Sequence, residues 1–146
     1  MIEIVGYMID KICIKNFKSI ENLEMELGRA NVFIGANGSG KSNILEAVAM
    51  VASRNGNNVE LESMAQHGIR IAMPDLMVNS FYGKTSPKSI TVKLLNGDGF
   101  GKYTMKRFSD DSIYAPWTVD AEISVSKKLK NEDFEGQYSR YVIYSP

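Results

Sequence analysis

The chain has 146 residues, enough for one domain and too few for two ordinary ones. Seventeen basic and seventeen acidic residues cancel to a net charge of zero, so no global charge directs it to nucleic acid or membrane. No apolar run approaches the roughly 18 residues of a membrane span, no signal peptide is recognised, and the single cysteine, Cys13, excludes an intramolecular disulfide, so a cytoplasmic address is expected.

Residues 1–8 are apolar and β-prone, without a partner in the pattern. Asp10 to Phe17 reads as a first strand, with Ile12 and Ile14 set against Lys11 and Lys15, and Cys13 reads as an inert core thiol. A polar break, Phe17-Lys18-Ser19-Ile20, precedes a second strand from Leu23 to Leu27 with its glutamates outward. Gly28-Arg29 turns into a short apolar strand, Ala30 to Ile34, which runs into Gly35-Ala36-Asn37-Gly38-Ser39-Gly40-Lys41-Ser42.

From Asn43 to Arg54 the apolar residues recur at helical spacing, with Ile44, Val48 and Val51 on one stripe and Leu45, Ala49 and Ala52 beside it. Asn55-Gly56-Asn57-Asn58 ends this helix, and residues 59–66 suit a second, short one stopped at Gly68. His67, the only histidine, reads as a capping or surface residue. The period then changes to two. Strands are expected at 69–73 and 76–82, split by Pro74-Asp75, and at 89–95 and 100–108 around the hairpin signal Asn96-Gly97-Asp98-Gly99. Trp117 to Val125 alternates as a half-buried antiparallel strand, 127–137 is a charged connection, and 138–144 is a last strand.

The stretch from Gly35 to Ser42 has the spacing of a P-loop: glycine, four residues, then Gly-Lys-Ser. A triphosphate is wrapped by backbone N–H groups, and Gly35, Gly38 and Gly40 let the backbone approach it without a Cβ in the way. The helix starting near Gly40 adds unpaired N–H groups and the positive end of its dipole. In this chemistry Lys41 places an ammonium on the β- and γ-phosphates and Ser42 offers a hydroxyl to Mg²⁺. The candidate nucleotide-binding residues are Gly35, Ala36, Asn37, Gly38, Ser39, Gly40, Lys41, Ser42 and Asn43, with Ser42 the candidate metal ligand and ATP with Mg²⁺ the expected cofactors.

Taken with Ile14-Lys15-Asn16-Phe17-Lys18-Ser19, the loop resembles the N-terminal part of ABC-type ATPases related to SMC and RecF. The likeness is closest to their prokaryotic AAA-family relatives, of the sort found in OLD-like nucleases and phage-defence systems. It covers residues 10–54 well and the later strands only in type. It implies an α/β fold: a P-loop lobe (9–58), an antiparallel β-subdomain (69–144) and an incomplete core sheet. It also implies Lys18 and Ser19 near the nucleotide, Asn37 near the γ-phosphate, adenine as the base, and head-to-head dimerisation of a parent protein, for which nucleic acid stays open as a partner.

No apolar strand closing on Asp-Glu follows the loop, nor does a Leu-Ser-Gly-Gly signature. The chain therefore reads as half of an ATPase, a truncated piece or a split gene product, unable to hydrolyse ATP alone. It should self-associate through its uncovered apolar surface or await a C-terminal half. The alternative is a non-catalytic β-rich interaction module whose P-loop is vestigial or holds another anion. A complete small kinase is disfavoured, because the chain turns to antiparallel strands after the loop.

Overall fold

The computed structural model describes residues 9–72, 74–79, 89–97, 99–107 and 116–125. The expected segments at 1–8, 127–137 and 138–144 lie outside these. Period-two alternation produces the strands β1 (Lys11–Phe17), β2 (Ile20–Glu26), β5 (Ser89–Asn96), β6 (Gly99–Arg107) and β7 (Trp117–Val125). Two short strands, β3 (Arg54–Asn55) and β4 (Asn58–Val59), complete one sheet in the order β2-β1-β5-β6-β7-β4-β3, antiparallel at every pairing. The β1–β5 pairing makes the two expected regions, before and after residue 69, share one sheet.

The register sets one apolar face. Leu23, Ile14, Val92, Tyr103 and Ala121 oppose one another across five strands, and Met25, Ile12, Leu94, Gly101 and Ile123 form the neighbouring row. A Cβ on Gly101 would lie 2.8 Å from Tyr103 Oη, so the buried tyrosine ring occupies the space a larger residue would take. The opposite face carries cross-strand pairs of opposite charge, Lys102 with Glu122 at 3.4 Å and Lys106 with Asp120 at 3.3 Å. Cys13 lies on that polar face, half-buried; alternation turns Ile12 and Ile14 inward instead, which corrects its expected place in the core.

Helix α1 (Lys41–Ala52) crosses the apolar face against β1 and β5, burying Ala47, Ala49, Met50 and Val51. Its buried side is rotated from the expected stripe, since Ile44 and Val48 are only half-buried and Leu45 is exposed. Ser53 ends the helix, its hydroxyl donating to Ala49 O at 2.8 Å. The asparagine-rich stretch then forms the β3–β4 hairpin, which stitches the helix end to β7 through Asn58↔Thr118 and Val59↔Trp117. Helix α2 (Leu61–Gln66) stops at Gly68, at φ 74°.

The expected strands at 30–34 and 69–73 are corrected over their described residues, and the one at 76–82 only at its start: Val78 bridges Phe17 in antiparallel fashion, and residues 80–82 lie outside the described residues. Residues 69–72 are irregular, and 74–77 form one helical turn, α3 (Pro74–Met77), a site where proline suits the first helical position. Residues 30–34 form no strand. Gly28 and Asn31 close a turn by reciprocal hydrogen bonds (2.9 and 3.0 Å), and beyond it no strand among the described residues lies alongside. Val32 and Ile34 are accordingly 82% and 91% exposed.

Candidate nucleotide-binding site

The glycine loop joins the exposed 30–34 segment to α1. Inside it, Ser39 N–H donates to Ala36 O at 3.2 Å, and Gly38 and Gly40 hold φ 83° and 89°, a region that penalises any Cβ. Gly40 is the N-cap of α1 and its carbonyl accepts from Asn43 and Ile44 N–H at 3.0 and 3.3 Å. With no side chain capping it, the helix keeps its first N–H groups and the positive end of its dipole for an anion. A Cβ on Gly35 would meet Ser39 Oγ at 2.9 Å, and one on Gly40 would meet Ser19 Oγ at 3.1 Å. The cradle is shaped by what these glycines lack.

Lys41 opens α1, and its ammonium turns back over the loop. It donates to Gly35 O and Ala36 O at 2.7 Å each and to Ser39 Oγ at 3.3 Å. The cation thus stands at the loop's mouth. Ser42, next along the helix, is exposed and lines an open cleft of about 260 Å³ with Leu45, Glu46, Ala49, His67 and Arg70. Asn37 is exposed at the loop's tip, with Ala36 beside it.

Of the two residues expected from the β1–β2 turn, Ser19 reaches the loop: its hydroxyl accepts from Asn43 Nδ2 at 2.7 Å. Lys18 is directed elsewhere. Its ammonium pairs with Glu46 and donates to Arg70 O at 2.9 Å. Arg70 Nε donates to the second Glu46 oxygen at 2.7 Å. Sequence reasoning passed over Glu46 and Arg70, although a lone acid inside the apolar run Ile44-Leu45-Glu46-Ala47-Val48 was a signal for a buried partner. His67 stands at the end of α2 as expected, Nδ1–H donating to Ser63 O at 2.8 Å.

A glycine cradle feeding a helix that begins with lysine has the chemistry of a phosphate-binding protein. The family model described as AAA ATPase domain matches residues 8–139, and the chain belongs to that family. An uncharacterized Methanocaldococcus jannaschii protein is 30% identical over 94% of this chain and 61% of its own length. The DNA replication and repair protein RecF of Listeria monocytogenes is 49% identical over 30% of this chain and 12% of its own. The probable siderophore transport system ATP-binding protein YusV of Bacillus subtilis is 28% identical over 83% of this chain and 42% of its own. The chain therefore spans less than two thirds of each of these relatives. The family assignment makes it an AAA ATPase-type domain, similar in sequence to RecF and to a siderophore transport system ATP-binding protein. No helix among the described residues is long and apolar enough to cross a membrane.

Proposed function

We infer that this chain is the ATP-binding lobe of an SMC/RecF-like ATPase. Backbone N–H groups of Gly35 to Ser39 and the start of α1 cradle the phosphates, Lys41 neutralises them, and Ser42 is the hydroxyl available to Mg²⁺. A bound Mg²⁺ would draw charge from the β- and γ-phosphate oxygens. The observation that carries this reading is the pair of left-handed glycines leading into α1 with the Lys41 ammonium at the loop's mouth. To hold phosphate, Lys41 exchanges carbonyl acceptors for charged oxygens, a stronger class of hydrogen bond. The name of the RecF relative, a DNA replication and repair protein, supports DNA as a partner of the larger assembly.

Hydrolysis is assigned to the assembly, because an acid that positions water is absent from the sequence motifs here. The exposed Val32 and Ile34 support an interface with further protein, either a second copy or the segment that supplies that acid. The competing reading, an anion-holding interaction module, draws on the loop's closure by its own lysine. Titration with ATP, ADP and inorganic phosphate, each with and without Mg²⁺, separates the two. A Mg²⁺-dependent preference for ATP is expected; equal binding of ATP and phosphate would favour the module.

A further inference from the structure

Two non-glycine residues hold the left-handed region here, Asn16 near the end of β1 at φ 58° and Lys18 in the β1–β2 turn at φ 49°. Asparagine tolerates this region, but a lysine there is strained, persists only where its surroundings over-determine it, and such residues gather at functional sites. Backbone partners fix part of this turn: Lys18 N–H donates to Met77 O at 2.9 Å and Asn79 N–H to Asn16 O at 3.0 Å. The side chain of Lys18 is held by α1, through Glu46. Lys18 is 12% exposed and Glu46 7%, so the pair is nearly out of water.

A buried ion pair is a poor device for stability alone, since two apolar side chains of similar volume commonly do as well or better. Glu46 sits in an apolar run where such a side chain would fit. Its two oxygens instead hold Lys18 and the Arg70 guanidinium, which is 70% exposed. What this arrangement fixes is the residue after Lys18. Ser19 accepts from Asn43 on the first turn of α1, and its hydroxyl oxygen stands 3.1 Å from where a Gly40 Cβ would be. The ion pair and the Ser19–Asn43 bond thus clasp α1 to the strained turn at two successive levels, Asn43 and Glu46. Gly40, the last glycine of the loop, lies at the upper one.

We propose that Lys18 and Glu46 are positioning residues of the phosphate loop: the buried pair locks the left-handed turn so that Ser19 braces Gly40 and Asn43. Lys18 acts on bound nucleotide through Glu46 and touches no phosphate. This assignment rests on the nucleotide-binding reading for its effect on affinity, and has a readout of its own for the bracing.

The test is a double-mutant cycle on the full chain with Lys18→Met, Glu46→Gln and the pair, measuring Kd for a fluorescent ATP and ADP and thermal stability. Each single variant is expected to weaken both nucleotides by the same factor, roughly five- to thirty-fold, and the double variant no more than the worse single. If Lys18→Met costs as much in the Glu46→Gln background as in the wild type, or weakens ATP alone, Lys18 meets the phosphates directly and the proposal is overturned. In an amide NMR spectrum without nucleotide, Lys18→Met should move the Gly40 backbone and Asn43 side-chain resonances. The charge-keeping Lys18→Arg should leave them near their wild-type positions. Resonances unmoved by Lys18→Met overturn the bracing even if no nucleotide binds, whereas wild-type protein that ignores ATP while these resonances move contradicts the nucleotide reading alone. Should Glu46→Gln not fold, Ser19→Ala replaces it in the cycle, with the same non-additivity expected and independent effects again overturning the proposal.

Discussion

The side-chain amide of Asn43 donates to the hydroxyl of Ser19 at 2.7 Å, joining the first turn of helix α1 to the β1–β2 turn. The contact ties the glycine loop to the sheet at the point where the helix begins. Ser19→Ala and Asn43→Ala are each expected to lower stability by about 0.5–1.5 kcal/mol, as for a typical net hydrogen bond. Their double variant should lose little more than either single in a urea melt. Full additivity would show that the two side chains do not work as a pair.

The two left-handed glycines of the loop should respond differently to alanine. Gly38, at φ 83°, has open space where a Cβ would stand, with no atom within 4 Å, so Gly38→Ala meets backbone strain alone, about 1–2 kcal/mol. Gly40→Ala meets the same strain plus Ser19 Oγ at 3.1 Å, and should be the more damaging in a thermal melt of the nucleotide-free protein. Equal losses would mean that Ser19 yields without cost.

Much of this site is legible in the residues themselves. The loop's spacing, the helix after it and the hairpin around Asn96-Gly97 follow from glycine chemistry and periodicity, which are local. The failures are non-local. Residues 30–34 have the composition of a strand, but a strand exists only beside a partner, and composition does not say whether one is present. Residues 69–72 and 74–77 show a period of two that their tertiary setting does not use; Pro74 begins a helical turn there instead. The Lys18–Glu46 pair joins residues 28 apart and leaves in the sequence only one acid among apolar neighbours. The rotation of α1 escaped for a related reason: pairing Glu46 inward turns Leu45 outward.

On the outer edge of the sheet, the Lys11 side chain hydrogen-bonds to Glu24 and its charge adds to the effect, holding that carboxyl below its ordinary 4.5. The same bond and charge raise Lys11 above its ordinary 10.5. Glu24's contribution is therefore present above pH 4.5 and lost as pH falls through its lowered folded value, whereas Lys11's is present below pH 10.5 and lost as pH rises through its raised one. Both groups are exposed, so the effect on stability is small. An NMR titration should place the Glu24 midpoint below 4.5 and return it toward that value in Lys11→Met. An unchanged midpoint in the variant would remove Lys11 as the cause.

Val32 and Ile34 are exposed, and the proposed interface with further protein makes them a test site. Val32→Ser with Ile34→Ser should leave the melting temperature within about 2 °C, since neither side chain is packed, while reducing concentration-dependent association in sedimentation velocity. A large fall in melting temperature would mean that the segment is covered within one chain.

The central claim is that eight residues, Gly35 to Ser42, hold the phosphates of ATP. Calorimetric titration of Mg·ATP into the wild type and Lys41→Ala tests it most directly. Lys41 supplies a charge-assisted hydrogen bond of roughly 1.5–3 kcal/mol, so the variant should bind about ten- to a hundred-fold more weakly with its melting temperature little changed. Equal affinity in the two proteins, or a wild type that does not bind Mg·ATP at all, would contradict it.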